Sequence, residues 1–222
     1  MNEHHLTIRR TARYYSLGDT DSQELWIVCH GYAQLARYFM RSFTPLDDGA
    51  RMIVAPEALN RYYYETAPGV HTGDARIAAT WMTREDREHE IEDYIAYLDT
   101  LASHVATDAT RTVIALGYSQ GAATVCRWVA HGSARIDHVI LWGSPVPPEL
   151  EPAPSLLRGA ALTIAIGESD GQIPPGEIER QDERLRSAGM AYDLVRYAGG
   201  HSIEGDALLD IAARVRRTRT RQ

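Results

Sequence analysis

Cysteine is scarce in this chain: 222 residues contain two, Cys29 and Cys126. They form neither a C-x-x-C pair nor a metal-like spacing, and they fall in a predicted strand and a predicted helix. We read both as buried free thiols and expect no disulfide framework and no metal site. Long apolar runs are missing too. Nowhere do about 18 apolar residues follow one another, which excludes an ordinary membrane-spanning helix, and Met1 to Arg10 carry no apolar core of signal-peptide length. The expected location is the cytoplasm, without stable membrane insertion. A positive balance is likewise absent. Lys and Arg total 23 against 30 Asp and Glu, a formal charge of −7, so no general affinity for nucleic acid is expected. The basic tail from Arg214 to Gln222 is explained by cations near the negative pole of a helix dipole. No repeat and no long low-complexity stretch appears, and the length suits a single domain over 1–222.

What the chain does have is an alternation of two patterns. Leu25–Cys29, Met52–Ala55, Thr112–Leu116, Val139–Trp142 and Ala161–Ile166 are short apolar runs of the kind that form strands covered on both faces, and Tyr192–Tyr197 is a further strand. Between them lie helical patterns. The clearest starts after Thr83, whose hydroxyl is placed to cap a helix with Asp86 three residues on. It carries Ile91, Tyr94, Ile95, Leu98, Leu101, Ala102 and Val105 at three- and four-residue steps. Other helices are expected after Ser119, from Gly176 to Ser187 with Gly189 closing it, and from Ile203 to Arg217. Strands alternating with helices call for a mostly parallel sheet with helices on both faces. Thr7 to Tyr15 is a candidate antiparallel edge strand, and the proline-rich stretch from Gly143 to Pro154 reads as a loop. Any lid is small.

The strand Thr112–Leu116 runs straight into Gly117-Tyr-Ser119-Gln-Gly121, a G-x-S-x-G pentapeptide, and then into small helix-compatible residues. This places Ser119 on a nucleophile elbow, a turn too tight for side chains at its flanks, which is why glycines stand on either side. A serine hydroxyl is a weak nucleophile until a base takes its proton, and the base needs a group to orient it. In chain order the acid and then the histidine should follow the serine. Asp170 and His201 each come just past the carboxyl end of a strand, where open α/β sheets place their sites. Glu168 is the rival acid; Glu177 and Glu179 read as first-turn charges of a helix. His4, His5, His71, His89, His104, His131 and His138 read as surface or packing residues. His30 lies near the site but precedes the nucleophile, so its expected role is to hold the oxyanion loop. The N–H groups of Gln120 and Tyr32 are the expected oxyanion donors.

Together, His30-Gly31, Gly117-Tyr-Ser-Gln-Gly121, Asp170 before Ile173-Pro174, and Gly200-His201-Ser202 resemble the carboxylesterase/phospholipase/acyl-protein thioesterase family of α/β-hydrolases, over roughly residues 25 to 215. The resemblance implies an α/β-hydrolase fold with little or no cap domain and a cofactor-free serine hydrolase. It implies a triad of Ser119, Asp170 and His201, with Tyr32 and Gln120 at the oxyanion positions. The chain departs from that family at Ala33, where a second glycine is usual. Relatives line the pocket mouth with the region of Asn60–Glu65 and Ala79–Met82. Trp81 and Met82, with Ile173 opposite, are candidate walls of an acyl pocket, and Tyr62 to Tyr64 form either aromatic contacts to a substrate, an edge strand or ordinary interface skin. The expected activity is hydrolysis of small-molecule carboxylic esters through an acyl-enzyme. The same triad would serve an acyl-thioesterase or acyltransferase, and a non-catalytic binding protein is the reading from another class. A dienelactone-hydrolase-like enzyme would ordinarily carry cysteine at the elbow, so Ser119 weighs against it. A homodimer is compatible with the sequence.

Overall fold

Every residue of Glu24–Cys29 is buried, as the uninterrupted apolar run demands of a strand covered on both sides. In the computed structural model, which describes residues 1–64, 75–150 and 152–219, this run is β2. Around it stand β1 (Tyr14–Gly18), β3 (Arg51–Pro56), β6 (Thr112–Tyr118), β7 (His138–Trp142), β8 (Ala161–Gly167) and β9 (Asp193–Tyr197). A separate hairpin is made by β4 (Asn60–Tyr63) and β5 (Ile77–Thr80). The helices are α1 (Ala36–Phe39), which runs into a 3-10 stretch at Met40–Leu46, then α2 (Arg87–Val105), α3 (Gln120–His131), α4 (Glu177–Ser187) and α5 (Gly205–Arg219).

The main sheet has the order β1-β3-β2-β6-β7-β8-β9. Only β1 runs antiparallel to its neighbour; the other pairs are parallel. Alternate residues of β2 feed two cores. Leu25, Ile27 and Cys29 join Tyr94 and Leu98 of α2, Val125 and Trp128 of α3 and Leu185 of α4. Trp26 and Val28 join Phe39 of α1, Phe43 of the 3-10 stretch, and Leu208 and Ile211 of α5. Helices therefore cover both faces, and each such side chain contributes roughly 1.5–3 kcal/mol by leaving water. Next to β2 the connections diverge, to β3 on one side and to β6 on the other. The cleft at that switch point, beyond the carboxyl ends of the strands, is where an open sheet holds its site.

Two local expectations shift. The antiparallel edge strand is present but lies at Tyr14–Gly18, paired with β3, and not at Thr7–Tyr15. Thr83 does not cap α2: its hydroxyl accepts the Glu85 N–H at 3.1 Å in a local turn, and its own N–H goes to Glu90. The helix instead starts after Asp86, whose left-handed φ of 47° ends that turn. The proline-rich stretch is a loop as its composition predicts, tightening into one 3-10 turn at Pro154–Leu157. Glu65, His71 and the last residues of the basic tail lie outside the described residues. Of that tail, Arg216 pairs with Glu24 at 2.7 Å and Arg214 with Asp210 at 2.8 Å. Among the described residues no helix is long and apolar enough to cross a membrane.

Candidate active site

The turn between β6 and α3 forces Ser119 into a φ of 54° and a ψ of −117°, a strained position for a residue with a side chain. Its N–H is fixed to the Trp142 carbonyl at 2.8 Å. The two glycines are there for space. A Cβ on Gly117 would stand 2.2 Å from the Gly121 carbonyl oxygen, and one on Gly121 would stand 2.2 Å from that of Cys29. The turn can close against β2 only if both positions lack side chains.

Asp170 follows β8 and His201 follows β9, and the structure joins them: His201 Nδ1 lies 2.8 Å from Asp170 Oδ2. The Asp170 carboxylate is almost wholly buried, and its other oxygen accepts the Gln172 N–H at 3.0 Å. Glu168, the rival acid, is exposed and makes no side-chain contact with the histidine among the described residues. His201 Nε2 is buried without a partner among the described residues. No hydrogen bond joins it to Ser119 Oγ, so both the nitrogen and the hydroxyl are left uncommitted.

Several residues that the sequence did not single out hold this histidine. The Tyr118 hydroxyl donates to the His201 carbonyl at 2.6 Å, with the two rings 5.1 Å apart. Burial, with the Asp170 charge nearby, pushes the Tyr118 hydroxyl up to about 12, so it stays a donor. The Tyr197 hydroxyl donates to the Ser202 carbonyl at 2.8 Å, and Trp142 Nε1 to the same carbonyl at 2.9 Å. Gly143, at φ 65°, lies against the imidazole, where a Cβ would come within 3.0 Å of Cε1. A glycine directly after an apolar strand was the available signal for Gly143. Nothing in the pattern marks Tyr118 or Tyr197.

On the other side of the cleft, the loop after β2 carries Tyr32. Its N–H and that of Gln120 make no hydrogen bond with the described residues. The loop is pinned around them: Gly31 N–H donates to Gln34 Oε1 at 2.8 Å, and Ala33 N–H to the Ala79 carbonyl at 3.0 Å. Ala33 adopts a φ of 60°, the conformation the missing glycine would take without strain. The Gln120 side chain ties α3 to the end of β5 through Thr80, Trp81 N–H and the Met82 carbonyl. His30 is a structural residue. It is fully buried, with Nδ1 2.7 Å from the Gly31 carbonyl and Nε2 accepting the Ala58 N–H at 3.1 Å, and burial lowers its pKa to about 4.

Of the expected pocket walls, Trp81 is buried and Met82 and Ile173 are half-buried. Trp81 is 1% exposed; its indole donates to the His30 carbonyl at 2.8 Å and its rings pack on His30 and Tyr94. It is core, because its N–H finds a partner only inward. Met82 and Ile173 are half-buried against the same core. A groove of about 920 Å³ is bordered by Ala33, Gln34 and the β4–β5 hairpin. Tyr62 belongs to β4 in that hairpin, so the strand reading of the tyrosine run holds for Tyr62 and Tyr63. Cys29 and Cys126 are buried and free, and burial raises both thiols, Cys126 to about 12, which makes them inert. Among the described residues, His5, Asp86 and His89 bring three metal-type ligand atoms within 4.8 Å of one another, and none of them belongs to this cleft.

A mostly parallel sheet with the elbow, acid and histidine at its carboxyl ends defines an α/β-hydrolase fold. Solved structures share it: esterase PE8 at 19% identity with a TM-score of 0.68, covering 94% of this chain and 99% of its own; acyl-protein thioesterase 2 of Zea mays at 15% and 0.70, covering 93% and 99%; and the Bacillus cereus carboxylesterase at 16% and 0.63, covering 88% and 90%. The chain belongs to the dienelactone hydrolase family, whose model matches residues 51–206. This is the family against which Ser119 weighed; the match rests on the chain from β3 to the start of α5, and the serine at the elbow stands as a departure from the expected cysteine. No curated protein matches the chain.

Proposed function

We propose that this hydrolase cleaves carboxylic esters by a serine mechanism, with Ser119, His201 and Asp170 as the triad. The observation that carries the reading is the His201 imidazole, anchored to Asp170 through Nδ1 at 2.8 Å while Nε2 stays buried and unbonded among the described residues. An orienting carboxylate on one nitrogen and a second nitrogen left free is the arrangement a general base requires. Ser119 is one hydrogen bond from Trp142, whose neighbour Gly143 touches the imidazole, and Tyr118 binds the histidine's carbonyl, so the serine and histidine share their supports.

His201 Nε2 takes the Ser119 proton as Oγ attacks the ester carbonyl. The resulting oxyanion is met by the free N–H groups of Tyr32 and Gln120. The imidazolium, stabilised by Asp170, then protonates the departing alcohol and leaves an acyl-serine. Water repeats the sequence and releases the acid. The same acyl-enzyme would form from a thioester, and the structural neighbours include both esterases and an acyl-protein thioesterase.

Intact mass after exposure to a fluorophosphonate probe tests the reading. One adduct on the parent and none on Ser119→Ala supports it. A folded parent that takes no adduct shifts the weight to a non-catalytic binding protein.

A further inference from the structure

The groove beside the oxyanion loop is lined by arginines from separate segments: Arg13 before β1, Arg37 on α1, Arg61 on β4 and Arg76 just before β5. Among the described residues no carboxylate lines it, in a chain whose net charge is −7. Arg13 and Arg61 share one buried carboxylate, Glu57, at 2.7 and 3.2 Å. Arg37 and Arg76 have no carboxylate partner among the described residues; they lie over tyrosine rings, Arg37 4.4 Å from the Tyr38 centroid and Arg76 4.8 Å from that of Tyr64. Among the described residues, one carboxylate, Glu57, stands against these four guanidiniums. Tyr62 adds a buried hydroxyl whose neighbour is the Tyr32 side chain. Every basic residue of the chain other than histidine is arginine, whose planar fork matches phosphate oxygens, and stacking on a ring holds that fork in place without neutralising it.

Position links the groove to the chemistry. Ala33 and Gln34 line it, and they are the residues that follow the oxyanion donor Tyr32, whose own ring lies 6.1 Å from that of Tyr62. At about 920 Å³ it is near the top of the range for small-molecule sites, roughly 300–1,000 Å³, and far larger than a single carboxylate needs. We propose that this groove binds the phosphate-bearing leaving group of an ester or thioester substrate, with Arg37 and Arg76 supplying the uncompensated charge. The placement rests on the serine-hydrolase reading, because it is the oxyanion loop that makes one end of the groove the reacting end. A phosphate fits better than a carboxylate because it carries more than one charge and offers three acceptor oxygens to guanidiniums arriving from different segments.

The test has a binding arm and a kinetic arm. In the first, inorganic diphosphate and coenzyme A are titrated calorimetrically into the Ser119→Ala protein at low ionic strength, with malate and succinate as controls. Saturable binding is expected for both phosphate probes. It should weaken about tenfold or more in the Arg37→Ala/Arg76→Ala background, the usual size for lost hydrogen bonds to charged groups, and weaken further as salt rises. Both side chains are exposed, and thermal melting of the double variant and of each single variant checks that the fold is kept. No binding, binding unchanged in the folded variants, or malate and succinate binding as tightly as diphosphate each overturns the proposal. In the second arm, kcat/KM for acetyl-coenzyme A relative to a neutral acetyl thioester is compared between parent and variant, and the ratio should fall in the variant. A ratio unmoved by the substitutions also overturns it. A parent that turns over neither thioester nor ester defeats the serine-hydrolase reading, while the first arm still decides whether the groove takes phosphate.

Discussion

His30 and His201 both follow strands of the same sheet, yet their rings are held in opposite ways. His30 is fully buried with both ring nitrogens bonded, one to the Gly31 carbonyl and one to the Ala58 N–H. Burial holds its pKa near 4, so it is neutral at ordinary pH. His201 is bonded through Nδ1 only, to Asp170, and its Nε2 is left without a partner among the described residues. On the serine-hydrolase reading proposed above, the difference teaches that closeness to Ser119 does not by itself make an imidazole a base. What matters is the nitrogen the fold declines to satisfy.

The strongest way to break this comparison is to remove each histidine in turn. His201→Ala should lower kcat on any ester the parent hydrolyses by about 10⁴-fold, with melting little changed, and Asp170→Asn should approach that loss by disturbing the tautomer. His30→Ala should do the reverse in kind: it orphans the Ala58 N–H and opens a cavity beside Trp81, costing about 2–4 kcal/mol in denaturant titrations. A His30 variant that melts like the parent but does not turn over substrate would exchange the two roles.

A comparable loss of stability should come from the glycines that bring the two strands together. In Gly121→Ala the new methyl would sit 2.2 Å from the Cys29 carbonyl oxygen, where only backbone can yield. We expect about 3 kcal/mol or more of destabilisation, read as a lower denaturant midpoint, together with lost turnover because β2 carries the oxyanion loop. Gly171→Ala, where a Cβ meets nothing within 4 Å, is the matched control and should be close to neutral.

These effects also mark what was legible beforehand. The buried strands could be read because continuous apolar runs have few other uses, and β2, β3, β6, β7 and β8 stand where those runs are. The position of Ser119 in the turn after β6 could be read because that turn demands glycine at both flanks, and the positions of Asp170 and His201 because both fall beyond strand ends; the roles proposed for them rest on the serine-hydrolase reading. Glu168 and Asp170 were harder to separate, since burial decides between them and two residues in one loop have the same composition around them. The α1 and 3-10 segment was missed because Ala36–Leu46 is short and contains Pro45. Trp81 misled because a large apolar residue beside a cleft looks the same whether it faces in or out; the direction of one indole N–H settles it. The arginine groove could not be read at all, since Arg13, Arg37, Arg61 and Arg76 are brought together only by the fold.

Acid sharpens the comparison further, because His138 shares His30's condition. It is buried against Thr163 at 2.9 Å, and burial lowers its pKa to about 4 as well. Between pH 6.5 and 4 the unfolded chain takes protons on both residues that the folded chain refuses. Stability is therefore complete above about 6.5 and falls as the pH drops toward 4, on the order of 3 kcal/mol for each histidine. His138→Gln, which keeps a group able to meet the Thr163 hydroxyl, should flatten that loss. The melting curves of parent and variant should then draw together, or cross, as the pH is lowered. Parallel curves would mean that His138 does not refuse the proton.

The smallest expected effect tests whether His201's freedom at Nε2 depends on its backbone being held. Tyr118→Phe keeps the ring that lies 5.1 Å from the imidazole and removes only the hydroxyl bonded to the His201 carbonyl. Loss of one such hydrogen bond should cost about 1 kcal/mol of stability. If Tyr118 positions the histidine, kcat should fall by up to about tenfold while KM stays near the parent value, because the ground-state complex does not need the proton transfer that a displaced imidazole impairs. A purely structural tyrosine would lower the melting temperature and leave kcat per folded molecule unchanged. That outcome would place the precision of the site in the Asp170 bond and in the loop contacts of Trp142 and Tyr197 alone.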